Sequence, residues 1–147
     1  MSQYYVMDDQ TLWNPSNGAS RLFLRQVEVF EAELELPSGF LPLPLRDECA
    51  VDKAALAAFV DALLTRHRAT SHGVLLALSE GFVAAVLVLA DRAGVDVDWA
   101  RLSASPDGPR RDIQVSAGTG MSAPAQGDAW MTGLRDRARE LGRHMAL

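Results

Sequence analysis

A run of apolar residues from Val74 to Ala90 constrains the fold of this chain more than any other feature. Only Ser79, Glu80 and Gly81 interrupt its 17 positions. A helix that is apolar on all sides is buried in a bundle, in an oligomer interface or in a membrane. At about 1.5 Å per residue the run extends about 25 Å, less than the hydrocarbon thickness of a bilayer, and Glu80 lies in its middle. We therefore expect a core or interface helix and no membrane span.

Apolar periodicity and capping residues predict the other helices. The three core helices are expected near residues 17–36, 52–69 and 72–93, and a last helix begins near Asp128. The alternating prolines after residue 37 predict an extended, polyproline-like connector, and the chain before residue 14 suits a hairpin or an extended arm. The predicted fold class is mainly α, a bundle of three to four helices with a short N-terminal extended or hairpin arm. Its expected core is Phe23, Phe30, Phe59, Leu63, Leu75, Phe82, Leu87 and Leu89.

The chain length of 147 residues fits one domain. Residues 101–126 are rich in Ser, Ala, Gly and Pro, which predicts a flexible linker or loop before the last helix. Within it, residues 113–116 favour a short strand. Residues 116–120, SAGTG, lack the strand-to-helix context and the following basic residue of a phosphate loop, so we interpret them as linker.

Charge and cysteine content exclude several classes of protein. The chain has 14 basic and 19 acidic residues and a net charge of -5, so we expect no nucleic-acid partner. Cys49 is the single cysteine, which rules out an intrachain disulfide and a Cys-rich zinc site and favours a reducing, cytoplasmic compartment. The N-terminus lacks the basic and apolar regions of a secretory signal, although export by a leaderless route stays open.

Several short motifs resemble those of a known family. They are QYYV, LWNPSN, LPSGF, DECAVD, SHGVLLALSEGF and DRAG, between residues 1 and 94. In this combination the chain resembles a small actinobacterial family known only as a domain of unknown function. The resemblance implies a recurring helical domain, and it implies no activity, ligand or catalytic residue.

No convergent catalytic or metal-binding set is visible in the sequence. The acids that precede Cys49 would raise the pKa of its thiol, which favours a packing role over that of a nucleophile. His67 and His72 are five residues apart across a predicted helix break, whereas a helical metal pair needs a spacing of three or four. We expect no catalytic residue, no metal and no cofactor.

Three polar residues are candidates for lining a pocket between the second and third core helices. His67 continues the apolar stripe of its helix, His72 lies near a helix start, and Glu80 interrupts the apolar run. A buried carboxylate is costly unless it is paired, so Glu80 either belongs to an exposed strip or faces Arg25 or His72. The alternative function that these residues suggest is a small-molecule-binding protein or a small enzyme.

Two charge rows are candidates for an interface. Glutamates recur on one face of the first helix, and arginines recur every four residues on the last helix. Either the two rows pair within the chain, or each meets a partner, or both are solvated. The rows are Glu28, Glu31 and Glu35, and Arg135, Arg139 and Arg143.

These patterns together favour a non-enzymatic, cytoplasmic protein-interaction module with an accessory or immunity-like role. The expected partner is another protein, a second copy of this chain, or both. If the third core helix is the contact, Phe82 and Val86 are its candidate interface residues.

Overall fold

Four short strands form one mixed β-sheet in the computed structural model, which describes residues 3–104 and 128–147. The strand order is β2-β1-β4-β3. The two outer pairs are antiparallel and the central pair, β1 with β4, is parallel. The strands are β1 (Tyr4–Met7), β2 (Gln10–Trp13), β3 (Phe40–Leu43) and β4 (Glu48–Val51).

Four long helices and one short helix complete the described part of the chain. Ser16 and Asp52 cap the first two, because their side chains accept hydrogen bonds from Ala19 N and Ala55 N. The predicted helices are confirmed to within a few residues at each end, and the short α4 was not predicted. The helices are α1 (Asn17–Leu34), α2 (Lys53–Ala69), α3 (Gly73–Arg92), α4 (Trp99–Ser103) and α5 (Asp128–Gly142).

The predicted fold class, a mainly α bundle, is wrong: the fold is α+β. The connector interpreted as polyproline-like contains β3, whose Pro42 lies opposite Cys49 of β4. Proline is compatible with this strand because β3 is at the edge of the sheet. In the described part of the chain the outer side of β3 has no neighbouring strand, so no hydrogen bond between strands is lost there when an N–H is missing. The N-terminal hairpin exists, but it is no separate arm, since β1 is central in the sheet.

An aromatic cluster joins the sheet to α1 and α3. The Tyr5 ring lies 5.7 Å from that of Phe23 and 6.0 Å from that of Phe40, and the Phe23 ring lies 5.6 Å from that of Phe82. Tyr5 and Cys49, neighbours in register on the central strands, are fully buried. Apolar burial of this kind contributes about 1.5–3 kcal/mol for each large side chain.

The C-terminal segment packs beside β2 through one arginine. The Arg92 guanidinium donates to Leu12 O at 2.7 Å, to Met145 O at 2.8 Å and to Gly142 O at 3.1 Å. Asn14 N also donates to Ala146 O at 2.9 Å. Arg92 therefore links the end of α3, strand β2 and the segment after α5.

Only the C-terminal half of α3 is a core helix. The first turns of α3 leave the interior, so that the side chains of Val74, Leu75 and Leu78 are exposed. Leu75 is therefore wrong as a predicted core residue, and Phe30 is only partly buried. Within the described residues, α3 is the one helix that is long and apolar enough to span a membrane. Half of its most apolar segment is buried inside the fold, and core helices pass the same test of length and composition. The other six predicted core residues are buried: Phe23, Phe59, Leu63, Phe82, Leu87 and Leu89.

The predicted linker is described only at its start, where residues 101–103 belong to α4. From residue 105 onward the predicted linker lies outside the described residues, together with the strand predicted at residues 113–116 and the SAGTG segment.

Candidate functional site

A groove of about 1100 Å³ lies between α1, α2 and the N-terminal half of α3. Its apolar wall includes Val29 of α1 and Leu75 and Leu78 of α3, whose exposed fractions are 58%, 42% and 73%. Leu22 is also exposed and lies seven residues before Val29, on the same face of α1. Large apolar side chains that cluster on a surface mark binding sites for proteins or ligands.

Charged residues on the groove pair with one another. Glu33 of α1 accepts a hydrogen bond from Arg66 of α2 at 3.1 Å, and Asp61 of α2 pairs with Arg101 of α4. Each pair joins two different elements, and all four side chains are about half exposed. These two pairs are neutral overall, and Glu35, which also lines the groove, leaves its charged lining with a net charge of about -1.

His67 lines the groove and has a defined tautomer. The Trp130 indole donates to His67 Nδ1 at 3.0 Å, and because an indole only donates, the ring proton of neutral His67 lies on Nε2. His67 is 8% exposed, and its Nε2 has no hydrogen-bond partner within residues 3–104 and 128–147. Burial lowers the pKa of His67, and the nearby Glu80 carboxylate partly opposes that effect.

The other two predicted pocket residues do not join His67 at the groove. His72 is the N-cap of α3, where its Nδ1 accepts from Leu75 N at 3.4 Å. Glu80 is half exposed and lies 4.0 Å from Arg137 Nε of α5, instead of facing Arg25 or His72. The set Glu80, His67 and His72 is therefore not assembled as one pocket lining.

Phe82 and Val86 are core residues of this fold. Phe82 is 2% exposed and stacks on Phe30 with the ring centroids 4.5 Å apart, and Val86 is fully buried. Because their side chains are covered within the chain, they cannot contact a partner. The exposed apolar residues of α3 are in its first turns. Because the helix is apolar on all sides, its sequence pattern does not show which turns are exposed and which are buried.

One residue of the glutamate row, Glu31, stabilises a turn within the chain. A side-chain oxygen of Glu31 accepts from the N–H of buried Ser38 at 2.8 Å, which fixes the turn after α1. Glu35 is the C-cap of α1 in a left-handed conformation, and Glu28 is exposed. Among the ion pairs of the described residues, none joins the glutamate row to the arginine row.

The arginine row lines a second cleft, of about 610 Å³, between α5 and the C-terminal half of α3. Arg139 pairs with Asp136 at 2.8 Å, and Arg143 pairs with Glu140 at 2.9 Å, both within α5. The Arg135 guanidinium lies 5.8 Å from the ring centre of Trp99. The sequence pattern marked these arginines, whereas Trp130 was expected only on the apolar face of the last helix and Trp99 carried no pattern that would have marked it.

The structure gives Cys49 a packing role. Its side chain is fully buried in β4, and burial raises the pKa of its thiol to about 12, so thiolate is scarce at neutral pH. In the described part of the chain, no group of three or more His, Cys, Asp or Glu side chains is arranged to hold a metal ion.

The motifs that carry the family resemblance adopt specific local structures here. LPSGF forms the turn that Glu31 fixes, and DECAVD contains β4 and the N-cap of α2. No curated protein and no solved structure matches the chain. Residues 1–147 match a family described as a family of unknown function, a longer match than the expected 1–94. The chain therefore belongs to the family of unknown function DUF6086.

Proposed function

We propose that this protein is a non-enzymatic, cytoplasmic interaction module that self-associates through the groove between α1, α2 and α3. The observation that carries the proposal is the exposure of Val29, Leu75 and Leu78 around one groove. Covering apolar surface contributes about 25 cal/mol per Å², which favours association over exposure. An accessory or immunity-like role is compatible with such a module.

A second copy of the chain could occupy this surface, because exposed apolar side chains of α3 lie directly beside the groove. Leu75 and Leu78 form a ridge on α3, and the same two residues line the groove. A two-fold axis would place the ridge of each copy in the groove of the other, as in isologous dimers. The balanced charges of the Glu33–Arg66 and Asp61–Arg101 pairs reduce the repulsion that two identical charged surfaces would experience.

Leu78→Asp tests the proposal. Leu78 is largely exposed, so aspartate there should be tolerated by the fold but should place a charge in the apolar contact. We expect a dimer of the native chain and a monomer of Leu78→Asp in sedimentation velocity, with the same circular dichroism spectrum. The melting temperature should depend on protein concentration only for the dimer. The matched control is Leu45→Asp, because Leu45 is fully exposed in the β3–β4 turn, away from the groove.

A native chain that stays monomeric at every concentration would overturn self-association. A dimer that survives Leu78→Asp, or that Leu45→Asp also dissociates, would exclude this groove as the contact.

The second candidate function is binding of a small amphipathic molecule in the same groove. The supporting observation is the Nε2–H of His67, a buried donor without a partner in the described residues, beside a groove of small-molecule size. Native mass spectrometry of protein purified from its own host separates the two functions. A monomer with a reproducible adduct mass supports the ligand, whereas a clean dimer supports self-association.

A further inference from the structure

The cleft between α3 and α5 has walls of opposite charge. Arg135, with the locally paired Arg139 and Arg143, lines one wall on α5. Asp91 at the end of α3 and Asp96 after it line the other. The cleft is separate from the proposed self-association groove, and no residue lines both.

The charges of the two walls do not bridge the cleft. Among the ion pairs of the described residues, neither Asp91 nor Asp96 has a basic partner, although both share the cleft with four arginines, three on α5 and Arg92 on α3. Arg135 likewise has no acidic partner in that part of the chain, and its guanidinium lies over the Trp99 ring. Opposite charges that line one cleft without pairing are available to a molecule that carries both.

The base of the cleft is apolar. Leu87, Val88 and Val95 line it and are almost completely buried, and the Trp99 ring forms one end. Arg92 also borders the cleft, and three of the five N–H donors of its guanidinium already bind backbone carbonyls. A ligand would therefore place an apolar body on the base and its charged groups on the walls.

We propose that this cleft binds a zwitterionic small molecule with an apolar body, of the chemistry of a short apolar peptide with free termini. The carboxylate of the ligand accepts from the Arg135 guanidinium, which offers paired donors to a planar anion. Its ammonium group donates to the carboxylates of Asp91 and Asp96. The cleft volume of about 610 Å³ lies within the range of small-molecule sites.

The test compares leucyl-leucine, its N-acetyl derivative and its C-terminal amide as ligands of the full chain, by calorimetry and NMR titration. The free dipeptide should bind most tightly, and each blocking group should weaken binding about tenfold, the usual effect of one charged hydrogen bond. Arg135→Gln should weaken the free dipeptide about tenfold and leave the amide unchanged. The double variant Asp91→Asn, Asp96→Asn should weaken the free dipeptide and leave the N-acetyl derivative unchanged.

Arg137→Gln is the matched control, since Arg137 is an exposed arginine of α5 that does not line the cleft. It should leave all three affinities unchanged. The proposal is overturned if the N-acetyl derivative binds as tightly as the free dipeptide, if Arg137→Gln causes the same loss as Arg135→Gln, or if none of the ligands saturates at millimolar concentration. Melting curves of the variants should coincide with that of the native chain, because all substituted side chains are on the surface.

Discussion

His67 makes the stability of this protein depend on pH near neutrality. Unfolded His67 takes up a proton near pH 6.5, but burial lowers its pKa in the folded chain. Below about pH 6.5 the unfolded state therefore binds more protons, so the free energy of unfolding should fall as the pH decreases. Protonation would also place a proton on Nδ1, which accepts the Trp130 hydrogen bond. Urea unfolding between about pH 7.5 and 5.5 measures the effect.

The groups around His67 determine the size of that dependence but not its direction. Glu80 on α3 favours the protonated ring, whereas burial disfavours it more strongly. Arg68 on α2 lies over the Trp130 ring, and Arg137 on α5 is 4.0 Å from Glu80. His67→Gln should flatten the pH dependence of the free energy of unfolding, because glutamine does not titrate at that position. An unchanged slope in His67→Gln would contradict this assignment.

At the level of single residues, the sequence predicted which side chains were unusual but not what they contact. His67 continues the apolar stripe of α2, and in the structure it is buried with that stripe. Its hydrogen bond to Trp130 spans 63 positions and depends on how α5 packs, which no local pattern reports. Glu80 was predicted either on an exposed strip or beside Arg25 or His72. It is half exposed, and the charged residue near it is Arg137, on an element whose position no local pattern reports.

At the level of elements, the turn between α1 and β3 depends on Gly39. Gly39 has a φ of 85°, and a Cβ there would lie 2.6 Å from Asp52 O and 2.8 Å from Leu56 N. Both contacts are with backbone, so the start of α2 would have to move. Gly39→Ala should reduce the free energy of unfolding by about 3 kcal/mol, from the left-handed conformation and the overpacking together. Denaturant titration measures this loss.

Gly81→Ala is the matched control for that loss. Gly81 lies in α3, where nothing is within 4 Å of an added Cβ, so alanine there should raise stability by about 0.5–1 kcal/mol. Equal effects at the two glycines would show that the contact with α2 is not what constrains Gly39.

The helices were predictable because caps and apolar spacing are local signals, whereas the sheet was not. β3 contains a proline, and β4 has only four residues, the first of which is Glu48 directly after Asp47, so neither segment resembles an isolated strand. Within the described residues β3 pairs only with β4, which is close to it in sequence, whereas β4 also pairs with the distant strand β1. No local pattern reports that second pairing. For α3 the composition predicted one buried helix, but the fold covers only its C-terminal half.

At the level of the whole molecule, the contact surface determines how salt should affect self-association. The charge rows would bring arginines of one copy to glutamates of another, and added salt would screen that attraction. The groove presents apolar surface with balanced charge pairs, while the chain as a whole has a net charge of -5. Two copies therefore repel weakly over long range, and salt should reduce that repulsion.

We therefore expect the dimer dissociation constant to stay constant or to decrease as NaCl rises from about 0.05 to 0.5 M. Sedimentation equilibrium at several protein concentrations measures it, with Arg139→Gln as the control for the charge rows. Since Arg139 already pairs with Asp136 of its own helix, its loss should not change the constant. If the dimer dissociates as salt rises, and does so more readily in Arg139→Gln, the charge rows and not the apolar groove form the contact.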